Sequence, residues 1–199
     1  MYKVKLNEKE YFLPANWSEV TFKQLLDLKK IKFDSNEGNI MATTHHLSVL
    51  MGMDKKEIGK LSSSDFKKLA ETTKWIHSFD IQPEVKHEFE FDGVKYKLIT
   101  KFDSMTVGEI ASIEQLSMNG VEDNLDKIMA ILIREVDANG NIVEFDANTI
   151  DSRAEILKNK MTIPVVHGIS NFFLSGNVTS TQTIMDSSEQ SSGIQMEEM

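Results

Sequence analysis

The feature that most constrains this fold is a pattern that occurs twice along the chain. The stretch SEVTFKQLLDLKK spans Ser18–Lys30, and the stretch SMTVGEIASIEQLS spans Ser104–Ser117. A shift of 85 residues aligns the two halves without a gap over residues 4–51 and 89–136. The identical aligned pairs include Tyr11 and Tyr96, Leu13 and Leu98, Thr21 and Thr106, Asn39 and Asn124, and Leu47 and Leu132.

Each copy of the pattern predicts a β-hairpin followed by two helices. Any two units of this kind share such periods, so the element order alone does not require duplication. The caps and the hairpin turn fall in one register, however, and this favours a true duplication with an offset of 85. Beyond Met51 the register fails, because the second half continues into a turn at Asn139-Gly140.

Alternating apolar residues predict the hairpins. The first has Val4, Leu6, Tyr11 and Leu13 around a turn at residues 7–9, and Pro14 ends its second strand. The second has Phe89, Phe91, Tyr96 and Leu98 around Asp92-Gly93. Asp-Gly between alternating runs favours a type I′ turn, which needs positive φ at both central residues.

Threonine opens the next helix in both units. Thr106 and Glu109 have the spacing of a capping box, and Gln24 takes the glutamate's place after Thr21. Apolar stripes at helical spacing are expected to face the core. They are Phe22, Leu25, Leu28 and Ile31 in the first unit, and Val107, Ile110, Ile113 and Leu116 in the second.

Further helices follow from caps and apolar spacing. Asn39 is expected to cap a helix through Met51 after a loop at 33–38, with Met41, Leu47 and Leu50 in the core. Later starts are predicted at Asp54, within 62–65, and at Asn124, the last continuing to Val136. A short strand at 142–145, a helix at 150–160 and a final helix opened by Pro164 complete the pattern.

We therefore predict an α+β fold, mostly helical, with one unit at 1–82, a second at 83–176 and a polar tail at 177–199. Pro83 separates the units. One compact domain is favoured, because a unit of about 85 residues would bury too little apolar surface alone. The tail is rich in Ser, Thr, Gln and Glu, which predicts a segment that is flexible or ordered by a partner.

Composition narrows the classes of partner. The net charge is −9 and the pI is about 5.1, which argues against nucleic acid and against anionic membranes. Cysteine is absent, which excludes disulfides, thiolate catalysis and Cys-based zinc sites. We expect protein partners, with a homo-oligomer left open.

The chain has no Walker A loop, no Gly-x-Gly-x-x-Gly and no Gly-x-Ser-x-Gly, and we expect no enzyme, cofactor or metal. An enzyme stays open as a third alternative, since the residues of a Ser-His-Asp triad are dispersed in sequence and would need a pocket that gathers a histidine with carboxylates. The pair His45-His46 points in two directions on a helix and cannot converge on one ion. The stretch from Asp137 to Glu144 has alternating oxygen ligands, but its glutamate comes too early for a calcium loop. A turn is favoured there.

Methionine and tryptophan give two alternatives. Trp17 and Trp75 are expected as core or interface anchors. Core packing is the simpler explanation for the methionines. The functional alternative is that they line a surface that adapts to apolar segments of a partner. The methionines concerned are Met41, Met51, Met53, Met105, Met118, Met129 and Met161.

The stretches LPANWSEVTFKQLLDL, FDSMTVGEIASIEQL and NLDKIMAILIRE together resemble small tail-morphogenesis proteins of tailed bacteriophages. The resemblance covers residues 11–30 and 89–136. It implies a tail assembly chaperone of the host cytoplasm, which binds apolar segments of a tail protein such as the tape measure. The alternative is a permanent virion component in symmetric copies, such as a connector, baseplate or capsid-associated protein. The resemblance assigns no binding residue.

Overall fold

The structure of the chain, a computed structural model, describes residues 1–6, 8–31, 38–78 and 80–173. Its elements confirm an α+β fold in which helix predominates over strand. In chain order they are β1 (Tyr2–Leu6), β2 (Lys9–Leu13), α1 (Phe22–Lys29), α2 (Asn39–Met51), α3 (Lys55–Ile58), α4 (Ser63–Thr72), β3 (Glu88–Phe91), β4 (Val94–Leu98), α5 (Val107–Met118), α6 (Leu125–Leu132), β5 (Ile133–Glu135), α7 (Ile150–Lys160) and α8 (163–173).

The two hairpins form as predicted, and their registers agree under the shift of 85. Val4 lies opposite Tyr11 in the first, and Phe89 lies opposite Tyr96 in the second. Asp92 and Gly93 have φ of 52° and 82°, the two positive values that a type I′ turn requires. Strand β5 adds to β4, so the second hairpin becomes a three-stranded sheet in the order β3-β4-β5.

Both threonine caps are confirmed. The Thr21 hydroxyl accepts a hydrogen bond from the Gln24 N–H at 3.2 Å, and the Gln24 side chain accepts one from the Thr21 N–H at 2.8 Å. Thr106 and Glu109 make the same reciprocal pair at 3.3 and 2.7 Å. Helices α1 and α5 therefore begin at positions 85 residues apart.

Several of the smaller predictions also hold. Asp54 caps α3, Ser62 caps α4, α7 covers the predicted range 150–160, and Pro164 lies in the first turn of α8. Residues 32–37, which hold most of the predicted loop, and the tail 177–199 lie outside the described residues. The boundaries between the units stay a prediction.

Other local predictions are wrong. Gly38, not Asn39, is the N-cap of α2, and Met41 on its first turn is exposed. Helix α6 ends at Leu132 instead of continuing to Val136. The next three residues pair with β4, because the open edge of that strand offers a ladder of hydrogen bonds. Residues 142–145 form only an isolated bridge, between Val136 and Ile142.

The predicted core face of α5 is half wrong. Ile113 is buried and Leu116 partly buried, but Val107 is 84% exposed and Ile110 is 41% exposed. The buried face instead begins at Glu109, whose carboxylate is drawn inward by Arg134 of β5. The buried face of this helix therefore combines the charge pair with Ile113 and Leu116, and it leaves out the first half of the predicted stripe.

Two cores hold the fold together. The N-terminal core is built mainly by the first unit: Leu13, Trp17, Val20, Leu47, Leu50, Met51, Met53, Ile58, Leu69 and Ile163. The C-terminal core is built mainly by β3–β5, α6, α7 and α8, but it also contains Phe22. Since Ile163 and Phe22 cross over, each unit contributes a buried side chain to the other unit's core.

The link between α7 and α8 makes this exchange. Its residues Met161–Ile163 run antiparallel to Val20–Phe22, with Thr21 and Thr162 paired as an isolated bridge. The Phe22 N–H donates to the Met161 carbonyl at 2.9 Å, and the Ile163 N–H donates to the Val20 carbonyl at 3.1 Å. We call residues 161–163 the connector.

Candidate interaction surface

The residues weighed for metal binding do not form a site. His46 is half-buried, with its ring 6.3 Å from that of His77, and burial lowers its pKa, helped by His77 and His45. Within the described ranges, no group of three or more His, Cys, Asp or Glu side chains could hold a metal ion. The turn prediction at Asp137 is confirmed, because its carboxylate accepts the Asn139 and Asn141 N–H groups at 2.9 and 2.8 Å.

The length and hydropathy of the helices determine whether any of them could cross a membrane. Over the part of the chain that the structure describes, none of them combines the length and the apolar character that crossing a bilayer requires.

Helix α5 presents a second apolar stripe to solvent. Its exposed residues follow offsets of 3, 4, 7 and 11 from Val107, which places them on one side of the helix. Val107 and Met118, at the two ends, are 84% and 82% exposed. We call this stripe the α5 outer face, and it consists of Val107, Ile110, Ala111, Glu114 and Met118.

The buried side of α5 fixes the helix through Arg134. This guanidinium forms a buried ion pair with Glu109, the residue that closes the capping box. It also donates to the Val143 carbonyl and lies 5.3 Å from the centre of the Phe145 ring. Burial lowers the pKa of Arg134, while the Glu109 carboxylate opposes that shift.

The far end of α5 is also held. Asn124 does not cap α6 with its side chain. Instead its side-chain amide donates back to the Leu116 and Gly120 carbonyls at 3.2 and 3.0 Å. The Leu116 carbonyl lies in the last turn of α5, where carbonyls lack helical partners, and the Gly120 carbonyl lies in the turn that follows. The outer face therefore lies on a helix anchored at both ends.

More apolar surface lies beside the start of α5. The Phe145 ring lies near Gly108, since a Cβ added at that glycine would lie 3.9 Å from the ring. Ile142 and Val143 precede Phe145 in the same loop, and the side chain of each is about two-fifths exposed. The loop thus extends the apolar surface around the N-terminal end of the α5 outer face.

A second open surface lies on the first unit. An open groove of about 900 Å³ lies between the first hairpin, α1 and the end of α2, and Phe12, Asp27 and Met53 are among its lining residues. Near the start of α2, Ile40 and Met41 are exposed. The groove mixes acidic, basic and apolar side chains, so we take the more uniformly apolar α5 outer face as the primary candidate.

Sequence reasoning gave two residues of this face the wrong role. It assigned Val107 and Ile110 to the core, and it left open whether Met118 belonged to the core or to a binding surface. The sequence signal for this surface was a second stripe at helical spacing, which runs from Val107 through Ala111 to Met118. Comparison of the chain with models of protein families, with curated proteins and with solved structures gave no match.

Proposed function

We propose that this protein is a non-enzymatic morphogenesis protein of a tailed bacteriophage, a tail assembly chaperone that binds apolar segments of a tail protein. The observation that carries the proposal is the α5 outer face, an apolar helix side open to solvent. Exposed apolar area of this kind marks surfaces that bind protein partners.

The chemistry of the face suits a chaperone. Val107, Ile110 and Met118 offer apolar contact, and methionine adapts its shape to different partners because its side chain is unbranched and flexible. The same helix contains most of FDSMTVGEIASIEQL, one of the stretches that resemble tail-morphogenesis proteins. The tape-measure protein, whose apolar segments need cover until the tube encloses them, is the partner that this resemblance implies.

A chaperone acts during assembly and leaves the finished particle, whereas the alternative, a connector, baseplate or capsid-associated component, stays. We expect mass spectrometry to find this chain in cells making the phage, bound to tail proteins in the host cytoplasm. We expect purified virions to contain less than about one copy per particle. A fixed, stoichiometric number of copies in virions would overturn the chaperone proposal and favour the alternative.

A further inference from the structure

The two units treat the same helix side differently. In the first unit, Phe22 occupies the position equivalent to Val107, yet only 1% of its surface is exposed. Leu26, equivalent to Ala111, packs against the C-terminal core. The first turn of α1 on the side that corresponds to the α5 outer face is therefore covered within the chain, although Lys29 at the end of the helix is exposed. The corresponding first turn of α5 is open.

The connector provides part of this cover. It pairs its backbone with residues 20–22, using the Phe22 N–H as donor and the Val20 carbonyl as acceptor. The equivalent groups of the second unit are the Val107 N–H and the Met105 carbonyl. Within the described ranges neither of them forms a hydrogen bond. The second unit thus retains free backbone groups at the place where the first unit binds an extended segment.

Charge on the α5 outer face selects among ligands. Glu114 is the only ionisable side chain of the face, and Lys29 occupies the equivalent position of α1. No ion pair reaches Glu114 from the residues that the structure describes, and the carboxylate is exposed. A partner with a lysine or arginine opposite Glu114 would be favoured. Two copies of this face would instead place like charges together.

We propose that the second unit binds an extended segment of a partner protein in the way that the first unit binds the connector. The segment would pair antiparallel with Met105–Val107, place apolar residues on either side of a polar one, and bring a basic residue to Glu114. A second copy cannot supply its own connector, since Met161 and Ile163 are already buried. This docking mode rests on the proposed function only for the identity of the partner.

The test uses a peptide with the connector's pattern. A fluorescein-labelled peptide LKNKMTIPVVH, the sequence of residues 157–167, carries the pattern Met-Thr-Ile and two lysines. Titrated with the full chain and followed by fluorescence anisotropy, it is expected to bind saturably. Val107→Lys should weaken binding about tenfold or more, because it places a charged side chain in the apolar contact.

Matched variants separate the features of the site. Val94→Lys, at an exposed valine on β4, should leave the affinity unchanged. Glu114→Lys should weaken binding of the basic peptide. A peptide whose two lysines are replaced by glutamate should instead bind the Glu114→Lys chain more tightly than the wild-type chain. N-methylation of the isoleucine nitrogen removes the N–H meant for the Met105 carbonyl, and it should weaken binding as well.

Equal affinity for the wild-type, Val107→Lys and Glu114→Lys chains would overturn the docking mode, as would an N-methylated peptide that binds unchanged. A dimer that dissociates on Val107→Lys, measured by light scattering, would also overturn it, because a second copy would then occupy the face. If the peptide does not bind but the wild-type chain still keeps a tail protein soluble, the docking mode is wrong and the proposed function stands. If the peptide binds as expected but no tail protein is found to bind the chain, the phage assignment is wrong and the docking mode stands.

Discussion

Arg134→Met is expected to lower the free energy of unfolding by about 3–5 kcal/mol, because it leaves the buried Glu109 carboxylate without its cation. The Val143 carbonyl also loses its donor. Urea unfolding followed by far-UV circular dichroism measures the loss. The capping bonds between Thr106 and Glu109 join residues within one turn, so we expect them to persist and the loss to report mainly on the buried charge.

The first unit provides a control for this prediction. At the positions equivalent to Glu109 and Arg134 it has Gln24 and Val49, a pair without charge. The double variant Glu109→Gln with Arg134→Val should therefore regain most of the stability that Arg134→Met loses, since an uncharged pair removes the cost of an isolated buried ion. A double variant as unstable as the single one would show that the ion pair does not set the stability here.

Phe22→Ala is expected to cost about 3–5 kcal/mol, the usual range for removing a fully buried phenylalanine. Phe22 is a first-unit side chain buried in the C-terminal core, so its loss weakens the contact between the units. Trp17 and Trp75 lie in or against the N-terminal core, and their fluorescence reports on the first unit. Circular dichroism reports on both units. In this variant we expect the unfolding transition measured by tryptophan fluorescence to separate from the one measured by circular dichroism.

Val107→Ala is the matched variant at the equivalent first position of α5. It should change stability by no more than about 0.5 kcal/mol, because the valine is exposed. Similar losses of stability from Phe22→Ala and Val107→Ala would contradict the conclusion that the first position of the helix is buried in one unit and exposed in the other. A large loss from Val107→Ala alone would show that the α5 outer face is covered within the chain.

The parts of the fold that sequence predicted are those that neighbouring residues decide. The turn at Asp92-Gly93 and the boxes at Thr21 and Thr106 depend on backbone conformation and hydrogen bonds within a few residues. Sequence therefore placed both hairpins and both helix starts. Their agreement under a shift of 85 supports duplication, which we keep as an interpretation.

The parts that sequence missed depend on distant residues. Helix α6 gives way to β5 because β4 needs a partner strand, and nothing near Ile133 reveals that edge. Phe22 packs into the C-terminal core and bonds to the connector, about 140 residues after it in the chain, so nothing near it in sequence separates its burial from the exposure of Val107.

The methionines show the same division between local and distant causes. Five of the seven lie buried in the cores, as the simpler explanation predicted: Met51, Met53, Met105, Met129 and Met161. Met41 and Met118 are exposed, so only these two remain available to a binding surface. Spacing alone could not separate the two groups, since each methionine occupies an apolar position of its own helix or loop.

Co-expression with the tape-measure protein of the same phage tests the proposed chaperone most directly. The soluble fraction of the tape-measure protein would be compared for cells that also make the wild-type chain, the Val107→Lys chain or the Val94→Lys chain. We expect the wild-type and Val94→Lys chains to keep the tape-measure protein soluble and the Val107→Lys chain to lose most of that effect. A tape-measure protein equally insoluble with all three chains would contradict the chaperone function, and one equally soluble with all three would contradict the role of the α5 outer face.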